Sequence, residues 1–383
     1  MPDEEREAFG PQPLAGLRVV DLSRVLAGPL CTMILGDLGA DVIKVERPGT
    51  GDDTRAWGPP FVEGDAAYFL SLNRNKRSVV VDLSAEKGAA RIRTLIAGSD
   101  VLIENFRSGV MESFGLGLEA LREEHPRLVT CTLTAFGEDP EETRPGYDII
   151  MQALSGLMSV TGEPDGEPVK VGVALLDVIA GLYAAIGILS ALSERNRTGA
   201  GRHVSVSLFD AAAGAMVNQA ANYLLGGVVP SPMGTAHPNI VPYQAFRAAD
   251  RPFILAAGND RLFARTCEVL GRPELAEDPR FATNEARVRQ RETLVSLLQQ
   301  RFETETADHW LSALGGAGVP CAPIRRFDEV FASPEGRATL QDIAGLDLVA
   351  NPIRIDGERL PVRLRPPPLG EDTEEILGTE EER

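Results

Sequence analysis

The sequence is poor in cysteine and histidine, and neither residue is spaced as a metal site requires. Four cysteines in 383 residues lie far apart without the Cys-x-x-Cys spacing of zinc sites, which argues against structural zinc and against a disulfide framework. The four histidines are equally scattered. We therefore expect no metal, no tightly bound cofactor and a cytoplasmic protein with reduced thiols. These residues are Cys31, Cys131, Cys267 and Cys321, with His125, His203, His237 and His309.

Positive charge is also scarce, because 38 basic residues face 56 acidic ones and the net charge is -18. This balance argues against nucleic acid or an anionic membrane surface as the main partner. Long apolar runs are rare as well, and only residues 171–192 approach the length of a membrane span. Asp177 near the start of this run, and its many glycines and alanines, favour a buried helix. The polar start, "MPDEEREAFG", does not resemble a signal peptide.

Three glycine signatures of common enzyme classes are missing. The first strand-to-helix turn, "DLSRVLAGPL", has only Gly28 where a dinucleotide enzyme carries Gly-x-Gly-x-x-Gly. An NAD enzyme is therefore disfavoured, although Glu46 could imitate a ribose-binding acid. Neither the Gly-x-x-x-x-Gly-Lys loop of nucleoside triphosphatases nor the Gly-x-Ser-x-Gly elbow of α/β-hydrolases is present.

What the sequence does contain is an alternation of short apolar strands with helical stretches. The segments "LRVVDL", "ADVIKVE", "SVVVDL" and "SDVLIENF" are each typical of a strand, and helical patterns lie between them. We therefore predict an α/β fold with a mostly parallel sheet covered on both faces. After about Leu225 a stretch rich in Gly and Pro indicates a linker, and a smaller, helix-rich segment follows to about Gly318.

Asp177 is the one acid in the middle of the apolar run "VKVGVALLDVIAGLYAAIGILSAL". A carboxylate among aliphatic side chains is costly unless it is hydrogen-bonded or paired. One interpretation is structural, with Asp177 as the N-cap of a buried helix. The other is functional, because a carboxylate that the helix N-terminus keeps ionised would be a usable nucleophile. The two interpretations are compatible, and the spacing does not decide between them.

Three polar clusters follow predicted strands, which is where open α/β sheets bind their ligands. Arg47, Lys76 and Arg107 could converge on phosphate groups from these clusters. Each of the three could also be an ordinary surface charge. The clusters span residues 46–55, 71–83 and 104–109.

Taken in order, these segments resemble the class III coenzyme A transferases (CaiB/BaiF type). That family includes formyl-CoA transferase, the carnitine CoA-transferase and α-methylacyl-CoA racemase. The similarity runs from about Leu14 to Pro323 in the family's order, so it is far more specific than a single motif. It is carried by "GLRVVDLSRVLAGP", "LGDLGADVIKVERPGTGDDTR", "NRNKRSVVVDL", "SDVLIENFRSGV", "RPGYDIIMQALSGLMSVTGEPDGEPVKVGVALLDVIAGLYAAIGILSAL", "GRHVSVSLFD", "HPNIVPYQAF" and "AGVPCAPI".

The resemblance implies a specific architecture. Members of the family have a Rossmann-like large domain with a parallel sheet, built from both chain ends, and a smaller α+β domain. Two subunits thread through each other as an interlocked homodimer. We accordingly expect residues 1–195 to form the first part of a large CoA-binding domain, 196–232 a linker, 233–317 the small domain, and 318–383 the return linker with the rest of the large domain.

By the same resemblance, Asp177 is the catalytic nucleophile that carries CoA from an acyl-CoA donor to a carboxylic acid, through mixed anhydrides and an aspartyl-CoA thioester. Backbone N–H groups at the helix start or in the loop "MGTAHPN" would stabilise the oxyanion. Ser113 replaces an arginine that many members have, so one phosphate contact is in question. Candidates for the acyl pocket are Tyr147, Asp148, His237 and Asn239. The CoA-binding positions are Val25, Leu26, Ala27, Arg47, Leu72, Asn73, Asn75, Lys76, Asn105, Phe106, Arg107, Ala135, Phe136 and Gly137.

Two alternatives to the transferase remain open. A 2-methylacyl-CoA racemase needs an acid/base group on each face of the reacting carbon, and racemases of the family have a histidine where this chain has Tyr147. Tyrosine, with an ordinary pKa of about 10, is a poor base at neutral pH, so the transferase is favoured. A non-catalytic acyl-CoA-binding protein is the second alternative, because binding residues do not prove turnover. The opening segments favour succinyl-CoA as donor only weakly.

Overall fold

The computed structural model describes residues 10–139 and 144–378. The chain divides into two compact units. The first unit extends from the N-terminal part to Leu157 and includes Lys170–Val228 and the residues from Thr339 onward. The second unit comprises Met158–Val169 and Val229–Ala338.

The described residues form fifteen strands in chain order. They are β1 (Arg18–Asp21), β2 (Asp41–Glu46), β3 (Phe61–Val62), β4 (Asp65–Ala66), β5 (Lys76–Val80), β6 (Val101–Glu104), β7 (Val129–Thr134), β8 (His203–Ser207), β9 (Tyr243–Arg247), β10 (Pro252–Ala256), β11 (Cys321–Pro323), β12 (Leu340–Ile343), β13 (Leu346–Val349), β14 (Arg354–Ile355) and β15 (Glu358–Arg359).

Seventeen α-helices lie among these strands in the described ranges, with one 3₁₀ turn at Asp53–Ala56. They are α1 (Ala27–Asp37), α2 (Ala67–Leu72), α3 (Glu86–Ala97), α4 (Val110–Ser113), α5 (Leu118–Glu124), α6 (Asp148–Leu154), α7 (Leu175–Thr198), α8 (Leu208–Ala215), α9 (Val217–Gly226), α10 (Asp260–Val269), α11 (Glu274–Glu277), α12 (Asn284–Arg289), α13 (Arg291–Phe302), α14 (Ala307–Gly316), α15 (Phe327–Ala332), α16 (Pro334–Arg337) and α17 (Thr373–Leu377).

The first unit is built on a six-stranded sheet in the order β5-β2-β1-β6-β7-β8, with every neighbouring pair parallel. Its central strands are apolar on both faces because helices cover both sides, as the near-continuous valine and isoleucine runs predict. The predicted α/β fold with a parallel sheet is therefore confirmed. Since the strands are parallel, their carboxyl ends meet at one edge of the sheet, where such folds bind ligands.

Helix α7 packs closely on the start of α1. A side chain at Gly181 would lie 2.6 Å from the carbonyl oxygen of Ala27, so only glycine allows the two backbones to come this close. Gly181 is one helical turn after Asp177, and the contact therefore brings the start of α7 next to the turn between β1 and α1. Among the described helices, α7 alone is long and apolar enough to cross a membrane. This is weak evidence for a span, because a buried core helix has the same length and composition.

The C-terminal residues complete the first unit beside β5. Asp37, at the end of α1, accepts hydrogen bonds from Arg74 at 3.0 and 2.7 Å, from Asn75 at 2.8 Å and from Asn351 at 3.0 Å. Asp372 accepts from the N–H of Ser78 at 2.8 Å. Buried polar groups thus join segments that are about three hundred residues apart in sequence.

The second unit has its own sheet and its own core. Its strands pair antiparallel in the order β11-β10-β9. Aromatic rings of Phe246, Phe253 and Trp310 surround Phe302 at centroid distances of 4.9, 5.1 and 5.3 Å. A core of this kind, with rings tilted or edge to face, supports independent packing of the unit.

Candidate active site

An open cleft lies at the carboxyl ends of β1, β6 and β7 and reaches the first turn of α7. It encloses about 1170 Å³, including its open mouth. Asp177 is in its wall, as the functional interpretation of the sequence requires. The other described lining residues are Arg24, Val25, Leu26, Ala27, Asp53, Asn105, Phe106, Arg107, Ser108, Leu133, Thr134, Ala135, Phe136, Gly137, Arg144, Pro145, Gly146, Tyr147 and Leu208.

Asp177 is held by a second acid and does not cap its helix. Helix α7 begins at Leu175, so Asp177 lies inside the first turn, and the N-cap position belongs to Ala174, which has no side-chain cap. The N-cap prediction is therefore wrong. Instead, the buried carboxylate of Asp148 accepts the N–H of Leu176 at 2.8 Å and that of Asp177 at 3.3 Å. Asp148, which lies on α6, therefore caps the N-terminus of α7, because α7 has no capping side chain of its own.

Gln152 connects Asp148 to the chain in front of α7. Its Nε2 donates to the carboxylate of Asp148 and, at 3.3 Å, to the carbonyl of Val173. Its Oε1 accepts the N–H of Val171 at 2.8 Å. Asp148 and Gln152 are buried, Val171 is half-buried and Val173 is exposed. Their hydrogen bonds connect the segment that leads into Asp177 to α6.

The environment of Asp177 disfavours its charged form. Burial raises the pKa of this carboxyl to about 7, and the neighbouring Asp148 adds to the effect. With this pKa the carboxyl of Asp177 is only partly ionised near neutral pH, although it lies in the first turn of a helix. Tyr68 on α2 faces the same acids: burial, followed by the charge of Asp177, raises its pKa to about 12. Sequence reasoning missed Tyr68, since nothing in its local pattern sets it apart.

The first amides of α7 are not free to stabilise an oxyanion. The N–H groups of Leu176 and Asp177 both donate to Asp148, and that of Gly137 donates to the hydroxyl of Thr134 at 2.8 Å. Of the two sources that the sequence suggested, the helix start is therefore excluded in this arrangement. The loop "MGTAHPN" stays a prediction.

Nine of the fourteen predicted CoA-binding positions line the cleft together with Asp177. Their side chains do not all face a ligand. Asn105 uses its amide on the backbone of Arg24, accepting the N–H at 2.9 Å and donating to the carbonyl at 2.8 Å. The nine are Val25, Leu26, Ala27, Asn105, Phe106, Arg107, Ala135, Phe136 and Gly137.

Four predicted CoA-binding residues are buried and are not among the residues that line the cleft, and their part in CoA binding stays a prediction. Lys76 opens β5 at the amino end of the strand, and its fully buried amine binds Asp21 at 3.2 Å and Asn73 at 2.9 Å. The amide of Asn75 binds Asp37 and the backbone near Leu364. Leu72 is buried beside them.

The carboxyl end of β5 contributes to a second cavity of the first unit instead. Residues 81–84, which follow β5, line it, as does Arg47. Arg47 donates to the carbonyl of Gly51 at 3.0 Å and pairs with Asp53. Arg24 lines both cavities and was missed, although its place directly after the first strand is the signal that would have found it.

The remaining predicted positions divide between the two units. Tyr147 lines the cleft and is 59% exposed, whereas Asp148 is buried behind Asp177. His237 and Asn239 belong to the second unit, where the ring of His237 accepts the N–H of Asn239 at 3.0 Å. Their part in an acyl pocket stays a prediction. Ser113 is exposed at the end of α4, and its hydroxyl donates to the carbonyl of Val110.

The described residues contain no group of three or more His, Cys, Asp or Glu side chains that could hold a metal ion. The cleft presents a carboxyl group with a raised pKa together with apolar side chains and the arginines Arg24, Arg107 and Arg144. The family model for CoA-transferase family III matches residues 14–373. The chain belongs to family III of the CoA-transferases. It is thus an enzyme of a family that acts on CoA thioesters, and the resemblance seen in the sequence is confirmed.

Individual members of the family are similar to this chain over most of its length. The succinyl-CoA:glutarate CoA-transferase of Homo sapiens is 45% identical over 325 residues, which cover 85% of this chain and 74% of the relative. The succinate–glutarate CoA-transferase of Agrobacterium fabrum is 42% identical over 380 residues, covering 96% and 95%. A CaiB/BaiF family protein of known structure from Brucella suis is 47% identical with a TM-score of 0.84, covering 96% and 99%.

We expect Asp177→Asn to stabilise the protein more at about pH 8 than at about pH 5. The folded-state pKa of Asp177, about 7, lies above the ordinary value of 3.8, so ionisation costs folding free energy that is fully present above pH 7 and declines as pH falls toward 4. Asparagine removes this cost. The measurement is the melting temperature of both proteins at the two pH values.

Asp210→Asn is the matched control, because Asp210 is exposed in the first turn of α8. It shows how an Asp→Asn change in the first turn of a helix alters the melting temperature when the side chain is exposed. A melting-temperature difference for Asp177→Asn that is the same at both pH values would contradict the raised pKa.

Proposed function

We propose that this enzyme transfers CoA from succinyl-CoA to a short dicarboxylic acid such as glutarate, with Asp177 as the nucleophile. The observation that carries the proposal is a carboxyl group of raised pKa in the wall of an open cleft at the carboxyl ends of the sheet. The two relatives described above are named for succinate or succinyl-CoA together with glutarate. Those names support this pair of acids for the present chain.

The proposed reaction exchanges acyl groups on one carboxylate. The carboxylate oxygen of Asp177 attacks the thioester carbonyl, the carbon–sulfur bond breaks, and CoA leaves as the thiolate, giving a mixed anhydride. The thiolate attacks the aspartyl carbonyl and releases the donor acid as its carboxylate, which leaves an aspartyl-CoA thioester. The acceptor carboxylate repeats these two steps in reverse order and leaves as the new CoA thioester, with Asp177 regenerated. No net charge or thioester is lost, so ATP is not needed.

The raised pKa of Asp177 suits this chemistry. A poorly hydrated carboxylate is a stronger nucleophile than one in water, since less solvation must be removed during attack. The same raised pKa means that Asp177 is protonated in a fraction of the enzyme molecules near neutral pH. The transfer rate should therefore rise with pH through about 7. The apolar residues around the first turn of α7 would also help to exclude water from the anhydride and the thioester.

Racemisation at carbon 2 is disfavoured by the composition of the cleft. No histidine is among the described residues that line it, and Tyr147 occupies the position where family racemases have one. A second base for proton removal from the opposite face is therefore missing from this part of the site.

A homodimer of interlocked subunits is part of the proposal. The outer helices α7 to α9 and the residues after them expose large apolar side chains that a monomer would present to water. Leu225 is 90% exposed and Leu224 is 76% exposed. Others in this region are Leu182, Tyr183, Ile186, Val217, Val228 and Val229. A second copy of the chain is the partner that the family resemblance supplies for this surface.

Asp177→Ala should abolish CoA transfer from succinyl-CoA to glutarate while CoA still binds and the fold is retained. Loss of the nucleophile removes both covalent intermediates. In the wild-type enzyme, hydroxylamine or borohydride added after incubation with succinyl-CoA alone should label Asp177, and peptide mass spectrometry measures the label.

Turnover near the wild-type rate in Asp177→Ala would remove the mechanism, and so would a label on another residue. A screen of acceptor acids, analysed by the mass of the CoA esters, tests the substrate pair independently of Asp177. Rapid exchange at carbon 2 of 2-methylacyl-CoA in deuterated water, without an acceptor acid, would favour the racemase instead.

Asp148→Asn should move the midpoint of the pH–rate profile below about 7. The amide oxygen can still accept the two N–H groups of α7, whereas the negative charge that adds to burial in raising the pKa of Asp177 is gone. The measurement is the rate of aspartyl-thioester formation between about pH 5 and pH 9.

Gln152→Met is the control for this variant, because it disturbs the same network but leaves both carboxylates in place. Its midpoint should stay nearer to the wild-type value. An unchanged midpoint in Asp148→Asn, with the fold intact, would show that the charge of Asp148 does not act on Asp177.

The enzyme should sediment with twice the mass of the 41.1 kDa chain. Leu224→Glu combined with Leu225→Glu should raise the dissociation constant of the dimer by about tenfold or more, because charges would enter an apolar interface. Sedimentation equilibrium measures both quantities. A wild-type protein that sediments as the single chain at micromolar concentration would contradict the proposed assembly.

A further inference from the structure

Arg24 lies between the two cavities of the first unit and lines both of them. It is the residue that links the cleft of Asp177 with the cavity beside Arg47. Its side chain is 38% exposed, so the guanidinium can meet a solute from solvent. Neither the sequence motifs nor the geometry of Asp177 gives this arginine a role.

The charge of Arg24 is only partly used within the protein. Its Nη1 is 3.8 Å from Asp53, which is too far for a hydrogen bond. Its buried Nε has no hydrogen-bond partner among the described residues. Arg47 pairs with the same Asp53, so two guanidinium groups share one carboxylate and leave a net positive charge at this point of a chain whose overall charge is -18.

The backbone around Arg24 is held in one conformation by several contacts, although it lies in a loop. The amide of Asn105 clamps both the N–H and the carbonyl of Arg24, and the guanidinium lies over the ring of Phe106 at 5.3 Å. Val25 has φ +73°, a left-handed conformation that is rare for a β-branched residue. Its N–H points to the buried carboxylate of Asp52, 3.3 Å from each oxygen. Strain of this kind persists where the surroundings hold it for function.

We propose that Arg24 is a ligand-binding residue that holds a phosphate group of the nucleotide end of CoA, next to Arg47. The inference rests on the proposed function, since CoA is the ligand. A planar guanidinium whose N–H donors are not all used can form two hydrogen bonds to the oxygens of a phosphate. The position of Arg24 between two cavities suits a ligand such as CoA, which extends from a nucleotide to a thioester. The phosphate takes up the donors that Asp53 leaves unsatisfied.

The test compares two ligands on the full-length enzyme by isothermal titration calorimetry. Arg24→Met should weaken the binding of CoA by about 10- to 100-fold, as expected for loss of a charge-assisted hydrogen bond. Its affinity for pantetheine, which has no nucleotide and no phosphate, should stay within about twofold of the wild-type value. Arg24→Lys should bind CoA more tightly than Arg24→Met but less tightly than the wild type. Lysine keeps the positive charge but lacks the paired N–H donors of the guanidinium.

Arg93→Met is the matched control, because Arg93 is 37% exposed and paired with Glu124 on another part of the unit. It should leave the binding of CoA unchanged. Melting temperatures of all variants report their folding, and if Arg24→Met fails to fold, the Arg24→Lys comparison with both ligands carries the test.

Three results would overturn the inference. The first is a wild-type affinity for CoA in Arg24→Met. The second is an equal loss for CoA and pantetheine, which would mean that Arg24 shapes the cleft and does not bind phosphate. In both cases the proposed function would still hold as long as the wild-type enzyme transfers CoA from succinyl-CoA to an acceptor acid. The third is a wild-type enzyme that binds no CoA at all, which would remove the proposed function as well.

Discussion

The carboxylate of Asp148 is the contact on which the candidate site depends. It accepts the first amides of α7 and so determines where Asp177 lies, and its charge adds to burial in raising the pKa of Asp177. One acid therefore fixes the position of the second acid and, after burial, contributes to its raised pKa. Holding two carboxyl groups together in a half-buried place disfavours the folded state, and arrangements of this kind cluster at functional sites.

The first unit holds several buried ion pairs in addition to its apolar core. Lys44 pairs with Asp52, Arg55 with Glu46 and Lys76 with Asp21, all with side chains at most 7% exposed. Desolvation offsets much of the Coulombic gain in such pairs, so their main effect is to specify one geometry. Lys44 also donates to the carbonyl of Ser23 at 3.0 Å. Through these contacts the turn after β1, which carries Arg24 and the strained Val25, is held in one conformation beside Asp177.

The sequence located most of the cleft because its chemistry follows chain order. The family resemblance named Val25 to Ala27, Asn105 to Arg107 and Ala135 to Gly137, and the structure brings them together at the edge of the sheet where loops after parallel strands gather. The predicted CoA-binding positions that do not line the cleft include residues at the amino end of a strand. Lys76 stands in a polar cluster, but it opens β5 at the amino end, and its amine turns inward to Asp21. A linear pattern of polar and apolar residues does not distinguish a lysine or arginine that faces solvent from one that forms an ion pair with a buried acid.

By itself, the sequence determined the parallel α/β sheet, the family and the unusual acid in an apolar helix, because periodicity, motif order and composition are local or ordered along the chain. Only the tertiary structure decided how that acid behaves. Its cap comes from Asp148, 29 residues earlier, its pKa comes from burial, and the use of each neighbouring arginine depends on which carboxylate the fold brings to it. Solvation and charge pairing are properties of three-dimensional neighbourhoods, and no spacing along the chain records them.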